Sequence, residues 1–157
     1  IPVLKKKFLY AADFAKASLT DIFGADKLKE SEVLTANYFS NAILINDGQQ
    51  HFSLQALPWQ AQLTPMRAAA EVDANADSLP DLLLMGNYYD NNIQLGRNDA
   101  DFGTILINQG KDRFKAATLN GLALKGQVRH IGSTTLGGRP AFILAMNNDS
   151  MRVITYR

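Results

Sequence analysis

The chain is 157 residues long, with 46% hydrophobic and 20% charged residues and a formal net charge of +1. That balance is globular rather than disordered, and it sets up no strong field toward nucleic acid or an acidic partner. There is no cysteine, which excludes a disulfide framework and any thiolate nucleophile or metal site, and there is no run of 18 apolar residues to span a bilayer.

The first residue is Ile1 rather than Met, and no signal peptide is visible. The chain is therefore expected to be a processed or excised piece of something longer. Residues 1 to about 37 read as helical. Leu4, Phe8, Ala11, Ala12 and Ala15 fall at helical spacing on one face. Lys5, Lys6 and Lys7 lie on the opposite, solvated face, and Gly24 is a plausible stop. A second helix is expected over residues 26–36, with Leu28, Val33 and Leu34 turned inward.

From Asn41 onward the texture changes to strand and turn. Strands are expected over 42–46, 52–56, 67–72, 82–86, 104–108, 114–119, 128–133, 141–146 and 152–156. Turn residues separate nearly all of them, among them Asp47-Gly48, Pro58, Pro65, Gly110, Gly121, Gly126, Gly137-Gly138 and Asn147-Asn148. The unbroken apolar runs Leu82-Leu83-Leu84-Met85 and Phe142-Ile143-Leu144-Ala145 suit strands buried on both faces.

One stretch occurs twice. Ile43-Leu44-Ile45-Asn46-Asp47-Gly48 followed by Phe52 and Leu57 reappears as Ile105-Leu106-Ile107-Asn108-Gln109-Gly110 followed by Phe114 and Leu119, at a constant offset of 62 residues that also carries Arg67 onto Arg129. A fixed period of this size is the mark of a repeat architecture. Each copy reads as strand, Asn-x-Gly turn and a second strand led by Phe, a hairpin signal. About sixty residues with several short strands suits one four-stranded blade of a β-propeller, and closing a propeller takes about four to eight of these. The chain holds about two and a half periods. Phe52 and Phe114 are expected at equivalent inward positions.

The loop over residues 73–81 carries the most chemistry. Asp73, Asn75, Asp77 and Asp81 stand at its positions 1, 3, 5 and 9, and the Leu79 carbonyl is available at position 7. Alternate spacing lets successive ligands point inward around a hard cation, and Ca²⁺ takes six to eight oxygens. The ion would staple a hairpin. The plainer alternative is an Asx-turn loop with no ion. Position 6 is Ser78 where calcium loops usually have glycine, a cost of roughly 1 kcal/mol if the backbone is left-handed there.

This loop, the following Leu82-Leu83-Leu84-Met85-Gly86-Asn87 and the Asn-x-Gly-x-x-x-Phe hairpins together resemble FG-GAP/VCBS repeats, the blades of integrin-α-like β-propellers common in exported bacterial proteins. The family loop, close to Asp-x-Asp-x-Asp-Gly-x-x-Asp, maps onto Asp73, Asn75, Asp77 and Asp81. Gly96 to Gly103 also looks like a segment of a bacterial VCBS subgroup, and the helical start resembles an insertion of that subgroup. In the last copy the matching loop, Thr135-Leu136-Gly137-Gly138-Arg139-Pro140, has lost every carboxylate, so one calcium site is expected. The resemblance implies a binding or scaffold module with no fixed chemistry.

Other chemistry is thin. There is no Gly-x-Ser-x-Gly, phosphate loop or His-Glu-x-x-His. His51 falls in a hairpin turn and reads as solvated. His130 falls in a strand and reads as packed or hydrogen-bonded. Asp99 and Asp101 could serve a glycosidase-like pair, but beside Gly96 and Gly103 they read as turn formers or a second, poor cation site. Tyr88-Tyr89-Asp90-Asn91-Asn92 could be an exposed recognition loop for sugar or peptide, or its aromatics could cover a blade edge.

The expectation is a mainly β fold of consecutive four-stranded propeller blades, forming a partial propeller over 41–157 (about two blades) behind a helical segment over 1–40. Its function would be a non-catalytic, Ca²⁺-stabilised module for protein or glycan interaction in an exported bacterial protein, periplasmic, surface-bound or secreted. The rivals are an accessory or substrate-binding part of a carbohydrate-active enzyme, with contacts on the loops from Tyr88 to Asp101, and a purely structural fragment. Partners would be an unidentified protein or glycan, the remainder of the parent chain or a second copy, with no nucleic acid and no membrane span.

Overall fold

The computed structural model describes residues 2–156. The chain divides into two compact units, Ile1–Phe39 and Ser40–Arg157.

The first unit holds four short helices, α1 (Pro2–Lys7), α2 (Ala11–Lys16), α3 (Leu19–Phe23) and α4 (Ala25–Lys29). The two longer helices expected from the periodicity are broken up. Ser18 caps α3 in a capping box, its hydroxyl accepting from the Asp21 amide while the Asp21 carboxylate accepts from the Ser18 amide. Gly24, at φ +87°, turns the chain between α3 and α4. Nothing regular follows Lys29, and Val33 and Leu34 are exposed rather than inward. Helices of five or six residues lie far below the length that sustains itself in water, and none of these four buries a residue. Leu4 and Phe8 are half-buried, with Phe8 edge-on to Phe14, whereas Ala11, Ala12 and Ala15 are exposed.

The second unit is built of antiparallel sheets, none of them closed. Strands β1 (Ala42–Asn46) and β2 (Phe52–Ala56) form a two-stranded sheet. Strands β3 (Met66–Val72), β4 (Asp81–Gly86), β5 (Thr104–Asn108) and β6 (Phe114–Thr118) form a four-stranded meander. Strands β7 (Val128–Leu136), β8 (Arg139–Met146) and β9 (Arg152–Thr155) form a three-stranded one. A short 3₁₀ turn, Trp59–Gln62, connects the first two sheets. Among the described residues no helix is long and apolar enough to cross a membrane.

Local sequence sets these registers. In β1–β2, Ala42 faces Ala56 and Asn46 faces Phe52; in β5–β6, Thr104 faces Thr118 and Asn108 faces Phe114, every partner 62 residues later. The turns are made alike. Asn46 accepts from the Gly48 amide at 3.0 Å and Asn108 from the Gly110 amide at 2.9 Å, and both glycines have positive φ. A side-chain oxygen that bonds its own backbone two residues on, followed by a glycine free to turn left-handed, accounts for Asn-x-Gly in both places. The register also slips once in β3–β4, at Arg67, and once in β7–β8, at Arg129, so a β-bulge recurs at the same offset.

β4 explains why Leu82 to Met85 is apolar without alternation. Leu83 and Met85 face a cluster shared with Val72, Val128, Ile131, Phe142 and Leu144 of β3, β7 and β8. Leu84 faces the other way, with Ala61 and Leu106. The sheet β3–β6 thus packs face to face on β7–β9 and buries its second strand on both sides. Phe142 is likewise buried, with its ring stacked on Tyr156 at 4.7 Å.

The two phenylalanines do not share an environment. Phe114 is half-buried against Leu84 and Leu106, while Phe52 is 59% exposed. They hold the same place in the register, but the face beneath β6 is supplied by β4 and β5, and the two-stranded sheet has no such neighbours. The expected equivalence therefore holds for backbone position and fails for burial.

Candidate functional site

The loop between β3 and β4 winds its polar side chains onto its own backbone. The Asp77 amide donates to Asp73 Oδ1 and to Asn75 Oδ1, each at 3.2 Å, so two ligand-type oxygens crowd onto one nitrogen. The Ser78 amide donates to Asp73 Oδ2 at 3.0 Å, and the Leu79 amide to Asp77 Oδ1 at 2.8 Å. Asn75 Nδ2 donates to Asp77 Oδ2 at 2.8 Å. Ala76 and Ser78 both have left-handed backbones, at φ +59° and +65°, so position 6 carries the conformation for which glycine is usual. Asp73, Asn75 and Asp77 are exposed and gathered; Leu79 is 39% exposed.

Asp81 stands apart. It is fully buried, with Oδ1 accepting from the Asn108 amide at 2.7 Å and Oδ2 from the Ala74 amide at 2.9 Å. It ties the end of β5 to the loop whatever else it does, and each oxygen keeps a further lone pair. Among the described residues no group of three or more His, Cys, Asp or Glu gathers as a metal-holding cluster, the three carboxylates of the expected set, Asp73, Asp77 and Asp81, included. All donors of that set are oxygen, the chemistry of a hard cation. The corresponding connection between β7 and β8 is the two-residue turn Gly137-Gly138, with both φ positive, a tight hairpin.

At the opposite end of β4 a longer loop leads from Asn87 to β5. Tyr88 and Asn98 exchange backbone hydrogen bonds of 2.9 and 2.8 Å, which makes a short stem. The Arg67 guanidinium lies over the Tyr88 ring and that of Arg97 over the Tyr89 ring, each 5.0 Å from the centroid. The Tyr89 hydroxyl donates to Asp99. Burial, and then that hydrogen bond and the Asp99 charge, push the Tyr89 hydroxyl up to about 12. Arg129 pairs with Asp90 at 3.1 Å. The tip closes through Asn92, whose carbonyl accepts from the Leu95 amide and whose side chain accepts from the Gln94 amide.

Asp101 and Asn87 fasten the base of this loop. Asp101 is buried and accepts from the Gly86 amide at 2.9 Å, the Gly103 amide at 3.1 Å and the Thr104 hydroxyl at 3.3 Å. Asn87, fully buried, accepts from the Asp101 amide and donates to the carbonyls of Asp101 and Gly126. Burial raises the Asp101 carboxyl above the ordinary carboxylate value, against these hydrogen bonds, which lower it. Asp101 thus turns the chain, while Asp99 is taken by Tyr89. The sequence signal for the fastening was slight: one carboxylate ahead of a strand and one asparagine behind an apolar run.

The histidines fall outside any site. His51 is exposed and bonded to Asp47 at 3.0 Å. His130 is exposed rather than packed, because the bulge at Arg129 turns two successive side chains outward between buried Val128 and Ile131.

A cavity of about 350 Å³ opens between the two larger sheets, lined by Leu83, Ile105, Leu122, Phe142, Ile154 and Tyr156 among others. Fold and loops together define a mainly β protein of stacked antiparallel sheets. No family model matches the sequence, and no significant match is found among curated proteins or solved structures.

Proposed function

We propose that the sheets are successive blades of an FG-GAP/VCBS-like β-propeller, and that the chain is a non-catalytic, calcium-stabilised interaction module of an exported protein. The observation that carries this reading is the 62-residue correspondence of backbone pairing: β1–β2 repeats β5–β6 partner for partner, and the bulge at Arg67 recurs at Arg129. On this reading β3–β6 is a full blade, β1–β2 repeats its outer hairpin, and β7–β8 its inner one. Asp73, Asn75, Asp77, Asp81 and the Leu79 carbonyl would hold the ion, which cross-links the loop and supplies no reaction. The loop from Asn87 to Asp101, fixed at base and stem, is the contact surface.

Calorimetric titration of Ca²⁺ into chelator-stripped protein tests the reading. One saturable binding event, lost in Asp77→Ala, is the expected result. No heat, with an unchanged melting curve, would overturn the calcium assignment.

A further inference from the structure

We propose that this chain associates with copies of itself head to tail, the tip of the loop from Asn87 to Asp101 entering the apolar cavity of the next copy. The inference takes from the interaction-module reading only that this loop is a contact surface. It needs neither calcium nor a propeller.

The tip is built to be presented. Ile93 is 94% exposed and Leu95 79%, although a glycine follows and amide side chains flank them. Isolated exposed aliphatics are ordinary, but these two sit on a turn closed by Asn92 and on a stem held by the Tyr88–Asn98 pair and the Arg97–Tyr89 stack. Fixing a loop in its bound shape removes most of the ordering cost of association. The charged and phenolic groups at the foot of the tip are already taken: Arg129 pairs with Asp90, and Tyr89 donates to Asp99. A sugar would find one face of each tyrosine ring covered by a guanidinium. An anionic lipid surface would find arginines engaged with aromatics and carboxylates. An apolar pocket would find two unencumbered aliphatic side chains.

The same molecule carries such a pocket. Its cavity of about 350 Å³ is lined mainly by apolar side chains, and Leu122, half exposed, stands at its wall. An apolar knob and a complementary pocket on different parts of one surface make a heterologous contact, which builds open chains of copies, or a ring where the rotation between copies closes.

The contact has two different halves, so complementation tests it. Sedimentation of the wild-type chain is expected to show mass rising with concentration from the micromolar range. Ile93→Asp with Leu95→Asp damages only the knob, and Leu122→Asp only the pocket. Both sites are exposed, and unchanged melting temperatures check that the variants fold. Each variant alone is expected to be monomeric, with association weakened by at least about tenfold. Mixed, the two retain one intact knob and one intact pocket and are expected to form a one-to-one complex. A wild-type chain that stays monomeric, variants that associate like the wild type (as pairing through strand edges would), or a mixture that remains monomeric would overturn the proposal. Retention of the Ile93→Asp, Leu95→Asp variant on a glycan array, or on phosphatidylserine vesicles, leaves no role for Ile93 and Leu95 and would also count against it. Calcium heats are read separately, so loss of the calcium reading and loss of this one are distinguishable.

Discussion

Arg67 and Arg129 stand 62 residues apart, each at the bulge of its sheet's first strand, and both reach the same loop: Arg67 over the ring of Tyr88 at 5.0 Å, Arg129 onto Asp90 at 3.1 Å. A bulge re-aims one side chain out of the alternation of its strand. Two sheets therefore brace one loop from two sides. Exposed ion pairs contribute little each, so the bracing restricts motion more than it adds stability. Arg129→Ala is expected to leave the melting temperature nearly unchanged and to raise hydrogen exchange in residues 88–98.

The two phenylalanines give a stability contrast. Phe114 is packed on Leu84 and Leu106, and Phe52 is largely exposed. Phe114→Ala is expected to destabilise by about 2–3 kcal/mol, less than the full cost of a buried ring because Phe114 is only half-buried. Phe52→Ala is expected to stay within about 0.5 kcal/mol, as surface changes do. Denaturant unfolding of both variants checks the difference, and equal losses would mean that β1–β2 is covered as β5–β6 is.

Legibility followed the range of the forces involved. The nine strands of the described residues are readable because alternation, the unbroken apolar runs Leu82–Met85 and Phe142–Ala145, and the turns Asn46-x-Gly48, Asn108-x-Gly110 and Gly137-Gly138 act within a few residues. The helices were misread because Leu28, Val33 and Leu34 kept helical spacing while Ser18, Asp21 and Gly24 broke the backbone into single turns. Burial of Phe52 and His130 depends on which sheet lies opposite and on a bulge, and neither is written locally. The oxygen spacing in residues 73–81 was visible at once, whereas the burial of Asp81 and Asp101 requires β5 to be in place.

Calcium should act through the loop strain as well as through its ligands. Ser78 holds φ +65°, and Ser78→Gly is expected to stabilise by about 0.5–1 kcal/mol by removing a Cβ from a left-handed position. Stabilisation by Ca²⁺ at a hundredfold excess over the dissociation constant is expected to be about 2.7 kcal/mol, absent in Asp77→Ala. Thermal melts of the three proteins with Ca²⁺ and with chelator check both; identical curves throughout would show a loop held by its own hydrogen bonds alone.

Asp101 gives a pH dependence with a defined sign. Its folded carboxyl lies above the ordinary value of 3.8 because burial penalises the charge. The folded state then binds the proton more tightly than the unfolded state, so this group's contribution is present at pH below 3.8 and is lost as pH rises through the folded value. Asp101→Asn should remove that slope, seen as a flatter plot of unfolding free energy against pH. Asp101→Ala leaves the amides of Gly86 and Gly103 and the hydroxyl of Thr104 without their acceptor and is expected to cost about 2–4 kcal/mol at neutral pH. A flat wild-type profile identical to that of Asp101→Asn would contradict the assignment.

Gly86 ends β4 where the chain leaves for the loop, and it is glycine for want of space rather than for its φ. A Cβ built there would lie against the Pro65 carbonyl oxygen, well inside van der Waals contact, with the Met66 Cα at 3.0 Å. Both obstacles are backbone, and Met66 is the register partner of Gly86 at the foot of the β3 bulge. A flexible side chain could swing aside; a paired strand cannot move without lengthening its ladder. The Gly86 amide is also a donor to Asp101, so any shift at this point strains the fastening of the loop. Gly86→Ala is therefore expected to destabilise by about 2–3 kcal/mol, in the range of core overpacking. Amide exchange should rise in both β3 and residues 87–101. The matching position in the next sheet, Met146 opposite Val128, already carries a long side chain; Met146→Gly there is expected to lose packing and gain no room, which separates a steric requirement from a general tolerance of glycine at the strand end.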